Sequence, residues 1–326
     1  MNVFRLDRIS HSTLKNLDRS RTAVLVTMSP MEVHGPHLPL GQDWFEAQAI
    51  LEKTADKMAK ERTDWNFVIL PPLPIAIDCV PAQGSISYPV QLVRDVAFHT
   101  MEPFAKHGFA RLAFSSFHGG PRHICALEDA CSRLEEKYDA AAVSLFSAVL
   151  ARIDEDVFFK PIEKLKSRKI TKEQMVLDRH AGMVETSLAL HLWPELVDDG
   201  WQDLPGSTSE EPVTRGKPRS SFLFDEKGGQ GLLDKADKVL GTVKSMYRAM
   251  KHFNEHTYFG FPAFSSEKQG ELMLKHMIEV CGYIMGEFLD EGRDFDGHSP
   301  LWRLKDVLLN RQVNHIAQDW LHLYSE

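Results

Sequence analysis

Four short apolar runs divide the first half of this 326-residue chain, and helical patterns fill the intervals between them. Residues 22–28 are apolar and rich in β-branched side chains, the composition of a strand buried on both faces. A second run at 66–70 is closed by Pro71 and Pro72, and a third follows at 111–115. The helical patterns run over 43–61, with apolar Phe45, Ile50, Leu51 and Met58, and over 90–106 and 121–137. Pro89 admits the second helix and Pro103 kinks or ends it. Pro121 suits a first helical turn, where its missing N–H would have had no partner. Residues 140–149 are short and apolar, and are read as a fourth strand in preference to a buried helix. Strands that alternate with helices pair in parallel through crossovers. The expected fold class is therefore α/β: three layers, α/β/α, around a mainly parallel central sheet. Such sheets collect their sites at the carboxyl ends of the strands.

The second half is less regular. Residues 153–177 are charge-rich and read as an excursion from the sheet, 180–192 resume a helical pattern, and 203–231 carry the Gly, Pro and Ser of a loop. Long helical patterns cover 232–256 and 268–289, and the tail over 292–326, with Trp302 and Trp320, reads as helical and packed. The division expected is a catalytic domain over 1–258 and a helical C-terminal extension over 259–326 packed on it. A formal charge of -8, with no basic cluster denser than 164–169, argues against nucleic acid as a partner. The longest apolar-rich run, 140–151, is too short to cross a bilayer, and the first eight residues lack the apolar core of a secretory signal. Cys79, Cys125, Cys131 and Cys281 have neither metal-finger nor redox-motif spacing, so reduced thiols in a cytoplasmic protein fit best. Cys125 and Cys131 share one helical segment and read as packing positions.

The chemistry concentrates between Glu32 and Asp43. Residues two apart in an extended chain point to one side, so Glu32 and His34 can approach a common point. The Gly-Pro-rich turn after them can fold Asp43 back to the same place. Two carboxylates and an imidazole suit a divalent ion such as zinc, manganese or iron. The two oxygens of Asp43 are able to bridge a pair of ions about 3.5–4 Å apart. A Glu-x-His triplet alone is weak evidence, because such triplets are common in solvated loops. Two further segments agree with it. His118-Gly119-Gly120 directly follows the third strand, where glycines permit close backbone approach. Asp178 and His180 precede Glu185 at a helix start. Neither a Gly-x-Ser-x-Gly elbow nor a poised cysteine motif marks a metal-independent hydrolase.

Glu32-Val33-His34-Gly35-Pro36-His37-Leu38-Pro39, with Asp43 after it, resembles the signature of the creatininase (creatinine amidohydrolase) family. His118-Gly119-Gly120 resembles that family's second motif, and His180-Ala181-Gly182 through Glu185-Thr186-Ser187 its third. The resemblance covers roughly residues 10–240. It implies an α/β/α fold, two divalent ions per chain, hydrolysis of cyclic or linear amides by metal-activated hydroxide, and homo-oligomers that are often hexamers. Carried over, Glu32, Asp43 and His118 would hold one ion, and His34 and Asp43 the other. Creatininase itself has a glutamate two residues after the second-motif histidine. Gly120 stands there in this chain, and Glu185 is inferred to replace it. His180 matches a proton-relaying histidine, with Asp178 or Glu185 to orient it.

Other departures bear on the substrate. Ser116 and Pro121 flank the His-Gly-Gly core in place of asparagines, and Val176 lies nearest to the position of a tryptophan that covers creatinine. Without that tryptophan, and with Arg122 and Arg179 near the site, a small cyclic amide or formamide that is polar or anionic is expected instead of creatinine. Two alternatives stay open: ring-lactone hydrolysis, and a non-catalytic metal-binding or regulatory protein on the same fold. Trp44, Arg122 and Asp178 are candidates for contact with a small-molecule substrate, although packing and ion pairing account for Trp44 and Arg122 as well. Asp78, Gln83 and Ser87 lie in a loop that can reach the substrate. His37 is placed evenly between supporting the ligands and shaping the loop, and His123 is expected to be partly exposed.

Overall fold

A computed structural model describes residues 2–152, 174, 177–208, 252–253 and 255–312. Most of the excursion at 153–177 (with Val176), the loop and helix expected over 209–251, and the tail beyond 312 lie outside the described residues. The apolar runs form a sheet of five parallel strands: β1 (Val3–Arg5), β2 (Thr22–Thr27), β3 (Asn66–Ile69), β4 (Arg111–Ser115) and β5 (Ala141–Ser144). Their spatial order is β1-β3-β2-β4-β5, with Val24 of β2 opposite both Val68 and Leu112. The helices are α1 (His11–Lys15), α2 (Gln42–Glu61), α3 (Val90–Lys106), α4 (Pro121–Lys137), α5 (Leu145–Ala151), α6 (Met183–Leu192), α7 (Glu267–Glu291) and α8 (Lys305–Leu308).

All six residues of β2 are buried, because alternate side chains feed opposite layers. Val24 and Val26 pack with Val68, Leu112 and Phe114 against Val93 and Met101 of α3 and Leu127 and Leu134 of α4. Ala23 and Leu25 turn the other way, to Leu51 and Met58 of α2, Ala148 of α5, and Met285 and Phe288 of α7. Each fully buried Leu, Phe or Met contributes roughly 1.5–3 kcal/mol. The three-layer α/β/α fold expected from the alternation is the one observed.

Local departures have physical causes. Residues 140–149 are not one strand: β5 stops at Ser144 and α5 starts at Leu145. Both elements are apolar and buried, so periodicity alone does not separate them. Pro103 lies inside α3, which continues to Lys106; it sits in the last turn, where few hydrogen bonds remain to be lost. β1 is three residues long, too short for a period-2 pattern to register. α7, placed by sequence in the 259–326 extension, fills the same apolar layer as Leu25 and Phe67. No helix among the described residues is long and apolar enough to cross a membrane.

Candidate metal centre

The three motifs converge beyond the carboxyl ends of β2 and β4. The loop after β2 is held by the Glu32 amide on the Leu40 carbonyl (2.8 Å) and by the Gly35 amide on Thr257 (2.7 Å). Gly35 has φ +65°, and a Cβ there would meet His37 Nδ1 at 2.8 Å, so glycine is required for the turn. Asp43 enters from the first turn of α2 and Glu185 from the first turn of α6. Both carboxylates thus stand where a helix dipole favours negative charge.

Backbone carbonyls fix the two central imidazoles. His34 donates Nδ1–H to the Glu32 carbonyl (2.9 Å), and His118 donates Nε2–H to the Ile77 carbonyl (2.8 Å). A carbonyl only accepts, so the lone pairs are left on His34 Nε2 and His118 Nδ1. His34 Nε2 faces Asp43 Oδ1 at 3.0 Å and Glu185 Oε2 at 3.7 Å. His118 Nδ1 faces Glu32 Oε2 at 3.1 Å and Asp43 Oδ2 at 3.2 Å. Glu32 Oε2 and Asp43 Oδ2 are buried and have no hydrogen-bond partner. Lone pairs facing one another inside a buried site require cations between them. Protons can serve. Burial works against the His34 imidazolium, but Asp43, Glu185 and Glu32 outweigh it and push the ring up to about 10. His118 is likewise raised, by Glu32 and Asp43 against burial, and Asp43 is held well below its usual range by both rings despite burial. Divalent ions fit the same places with a donor set of imidazole nitrogens and carboxylate oxygens. The donor atoms of His34, Asp43 and Glu185 lie within 4.8 Å of one another, as do those of Glu32, His118 and Cys79. Asp43 presents one oxygen to each histidine, so the two positions share it.

A family model described as "Creatininase: Creatinine amidohydrolase" matches residues 7–282. The chain belongs to the creatininase family. A solved structure described as "Creatininase Mn" has 14% sequence identity and a TM-score of 0.61, covering 87% of this chain and 98% of that one. A putative creatinine amidohydrolase from Bacteroides fragilis NCTC 9343 has 17% identity and a TM-score of 0.58, covering 91% and 98%. A mutant creatininase of Zn-Zn type has 15% identity and a TM-score of 0.60, covering 87% and 97%. At these identities the structures establish the shared fold. No curated protein matches the chain.

This creatininase-family chain departs from creatininase at Gly120, and the geometry explains how. A Cβ on Gly120 would lie 2.5 Å from His118 Nε2, 2.6 Å from Asp78 Cβ and 2.9 Å from the Ile77 carbonyl. The His118–Ile77 hydrogen bond therefore closes the space from which a glutamate side chain would start. Glu185 approaches from the opposite side on α6, with Oε2 accepting the Ala181 amide. Burial pushes its carboxyl up to about 8, with His34 opposing and Asp43 adding to the rise.

His180 donates Nε2–H to the Val33 carbonyl (2.8 Å) and packs against His34, the rings tilted by 37° with centroids 4.2 Å apart. Burial and the neighbouring His34 hold it down at about 4, so at neutral pH it is an uncharged base with its lone pair on Nδ1. A backbone bridge to Phe259 fixes its position (2.7 and 3.0 Å). His37 is also buried, with Nε2 2.8 Å from Thr186 Oγ1, and burial holds it at about 4.

One expectation is corrected, and three candidate residues have partners within the protein. His123 is fully buried, not partly exposed: Nε2 lies 3.2 Å from Ser116 Oγ and 3.1 Å from the Met28 carbonyl. It falls on the face of α4 turned toward the strand ends, where burial and His118 push it down to about 3. Arg122 is buried against Asp78, its amide on Oδ2 (2.7 Å) and its Nε on Oδ1 (2.5 Å), an ion pair inside the protein. Asp178 accepts the amides of Met183 (2.7 Å), Phe261 (2.9 Å) and Val184 (2.9 Å). It ties down the start of α6 and makes no hydrogen bond to His180 among those described. Trp44 donates Nε1–H to Met31 Sδ (3.2 Å) and packs on Phe45, 4.2 Å between centroids. Its ring is thus engaged in packing under the loop.

Sequence reasoning missed Glu46. It lies three residues after Asp43, one turn along α2, is fully buried, and accepts Gln42 Nε2 on Oε1 (2.7 Å) while Oε2 has no partner. Burial, then Glu185 and Asp43, raise its carboxyl well above the usual range. The i, i+3 spacing from Asp43 was the available signal.

Proposed function

We propose that this metal-dependent amidohydrolase of the creatininase family cleaves a C–N bond in a small cyclic amide or formamide other than creatinine. We further propose that it uses two divalent ions per chain, with zinc, manganese and iron as the candidates. The observation that carries this reading is Asp43, whose two oxygens face His34 and His118 separately at 3.0 and 3.2 Å. Glu32 and His118 would hold one ion beside Asp43, and His34 and Glu185 the other. When bound, a pair of such ions supplies hydroxide at neutral pH and polarises the amide carbonyl.

The chain's own residues do the rest. Val33 and Phe259 hold His180 in place, and its neutral state at pH 7 leaves Nδ1 ready to accept a proton. The same atom then returns that proton to the departing nitrogen, as a general acid. Burial of His34, Asp43 and Glu32 excludes bulk water and strengthens each charge interaction. Val176, nearest to the position of the tryptophan that covers creatinine, supports another substrate.

The test is a screen of metal-loaded protein against lactams, cyclic imides, formamides, lactones and creatinine. Turnover of a cyclic amide or formamide well above creatinine is expected. Creatinine as the best substrate, or a lactone alone, would overturn the substrate assignment.

A further inference from the structure

We propose that Cys79 supplies a thiolate to the ion position formed by Glu32, His118 and Asp43, making that position selective for thiophilic ions such as zinc over manganese. The inference rests on the two-ion reading above and adds a donor that the family resemblance does not assign.

The chain places Cys79 with the same precision as the ligands. Ile77, two residues before it, accepts the His118 Nε2–H at 2.8 Å. Val80, directly after it, donates its amide to Glu32 Oε1 at 2.5 Å. One short segment therefore holds both neighbouring ligands, and a positive φ of 70° at Asp78 turns the backbone between them. Cys79 is 7% exposed, and its Sγ lies within 4.8 Å of the donor atoms of Glu32 and His118. Independently of the thiol, the buried and unpartnered Glu32 Oε2 and Asp43 Oδ2 point to a cation there. The other cysteines have different settings: Cys125 and Cys131 sit in apolar clusters.

The consequence is an unequal pair. Two carboxylate oxygens, one imidazole nitrogen and one sulfur complete four protein donors, the closed arrangement typical of firmly held zinc. His34, Asp43 and Glu185 offer three, which leaves a coordination place for water or substrate. Manganese prefers oxygen ligands, whereas sulfur selects softer ions. Without an ion the thiol keeps its proton, since burial and the charges of Glu32 and Asp43 push it up, and it donates weakly to the Ile86 carbonyl (3.4 Å). On ion binding the thiol proton leaves for solvent as the metal–sulfur bond forms.

The test uses the full chain, stripped of metal and titrated with cobalt(II). Two equivalents should bind, with visible ligand-field bands and a near-ultraviolet thiolate-to-cobalt charge-transfer band. Cys79→Ser, nearly the same size, should keep the ligand-field bands and lose the charge-transfer band. In zinc–manganese competition, the same variant should lower the preference for zinc at least tenfold. Cobalt bound without a thiolate band in the unsubstituted protein would overturn the role of Cys79 while leaving the two-ion reading intact. A charge-transfer band that survives in Cys79→Ser would also overturn it. Failure to bind cobalt at all would overturn both readings together.

Discussion

His180 and Glu185 lie five residues apart, yet their surroundings assign them different tasks. His180 packs at a tilt against His34 with one nitrogen committed to a backbone carbonyl, whereas Glu185 turns an oxygen toward His34 Nε2 at 3.7 Å. General acid–base groups contribute roughly 10²–10⁴-fold to turnover. His180→Ala should therefore lose about that much kcat while binding its full complement of metal. Glu185→Gln should weaken one ion, with activity partly restored by excess metal. Loss of an ion in His180→Ala with none lost in Glu185→Gln would reverse the roles. The cluster of Glu32, His34 and Asp43 was legible in sequence because the three are close along the chain. Glu46 and Cys79 were not, since each acquires its meaning from a partner brought in by the fold. The partners of Arg122 and Asp178 were hidden for the same reason: their charge was visible, but Asp78 and the amides of α6, which they meet, were not.

At the level of elements, the position of Glu185 depends on how α6 meets α7. A Cβ on Gly270 would come within 1.9 Å of the Ser187 carbonyl, so the two helices approach at a distance only glycine allows. Ser266 also receives support from this junction, its amide donating to Ser187 Oγ at 3.2 Å. Gly270→Leu should separate the helices, cost about 1–3 kcal/mol or more as overpacking does, and weaken the ion that Glu185 is proposed to hold. Denaturant unfolding combined with metal titration measures both effects; unchanged stability and affinity would show that this contact does not set the site. The strands and most helices were legible because their apolar period repeats over several turns. The split of 140–149 into β5 and α5 was not, because both pieces are short, apolar and mostly buried. The place of α7 in the core was also hidden, since an amphipathic helix does not announce which sheet face it covers.

For the whole molecule, metal-free stability should depend on pH with opposing slopes. His37, His123 and His180 are held near 4, 3 and 4, below their ordinary 6.5. As pH falls below about 6.5 the unfolded chain takes up protons that these folded rings refuse, so stability is lost on the acid side by up to a few kcal/mol per ring. His34 acts in the opposite sense, raised to about 10: its contribution is full below 6.5 and is lost as pH rises toward 10. Glu185, raised to about 8, adds to the loss as pH rises from about 4.5 toward 8. Thermal melts of metal-free protein should thus fall on both the acid and the alkaline side, and a profile that climbs steadily to pH 9 would contradict these assignments. The central claim is that Asp43 joins two ion positions, and elemental analysis of purified protein beside Asp43→Ala tests it most directly. Two divalent ions per chain in the unsubstituted protein, with most of both lost in Asp43→Ala, is the predicted result; full metal content retained in Asp43→Ala would contradict it.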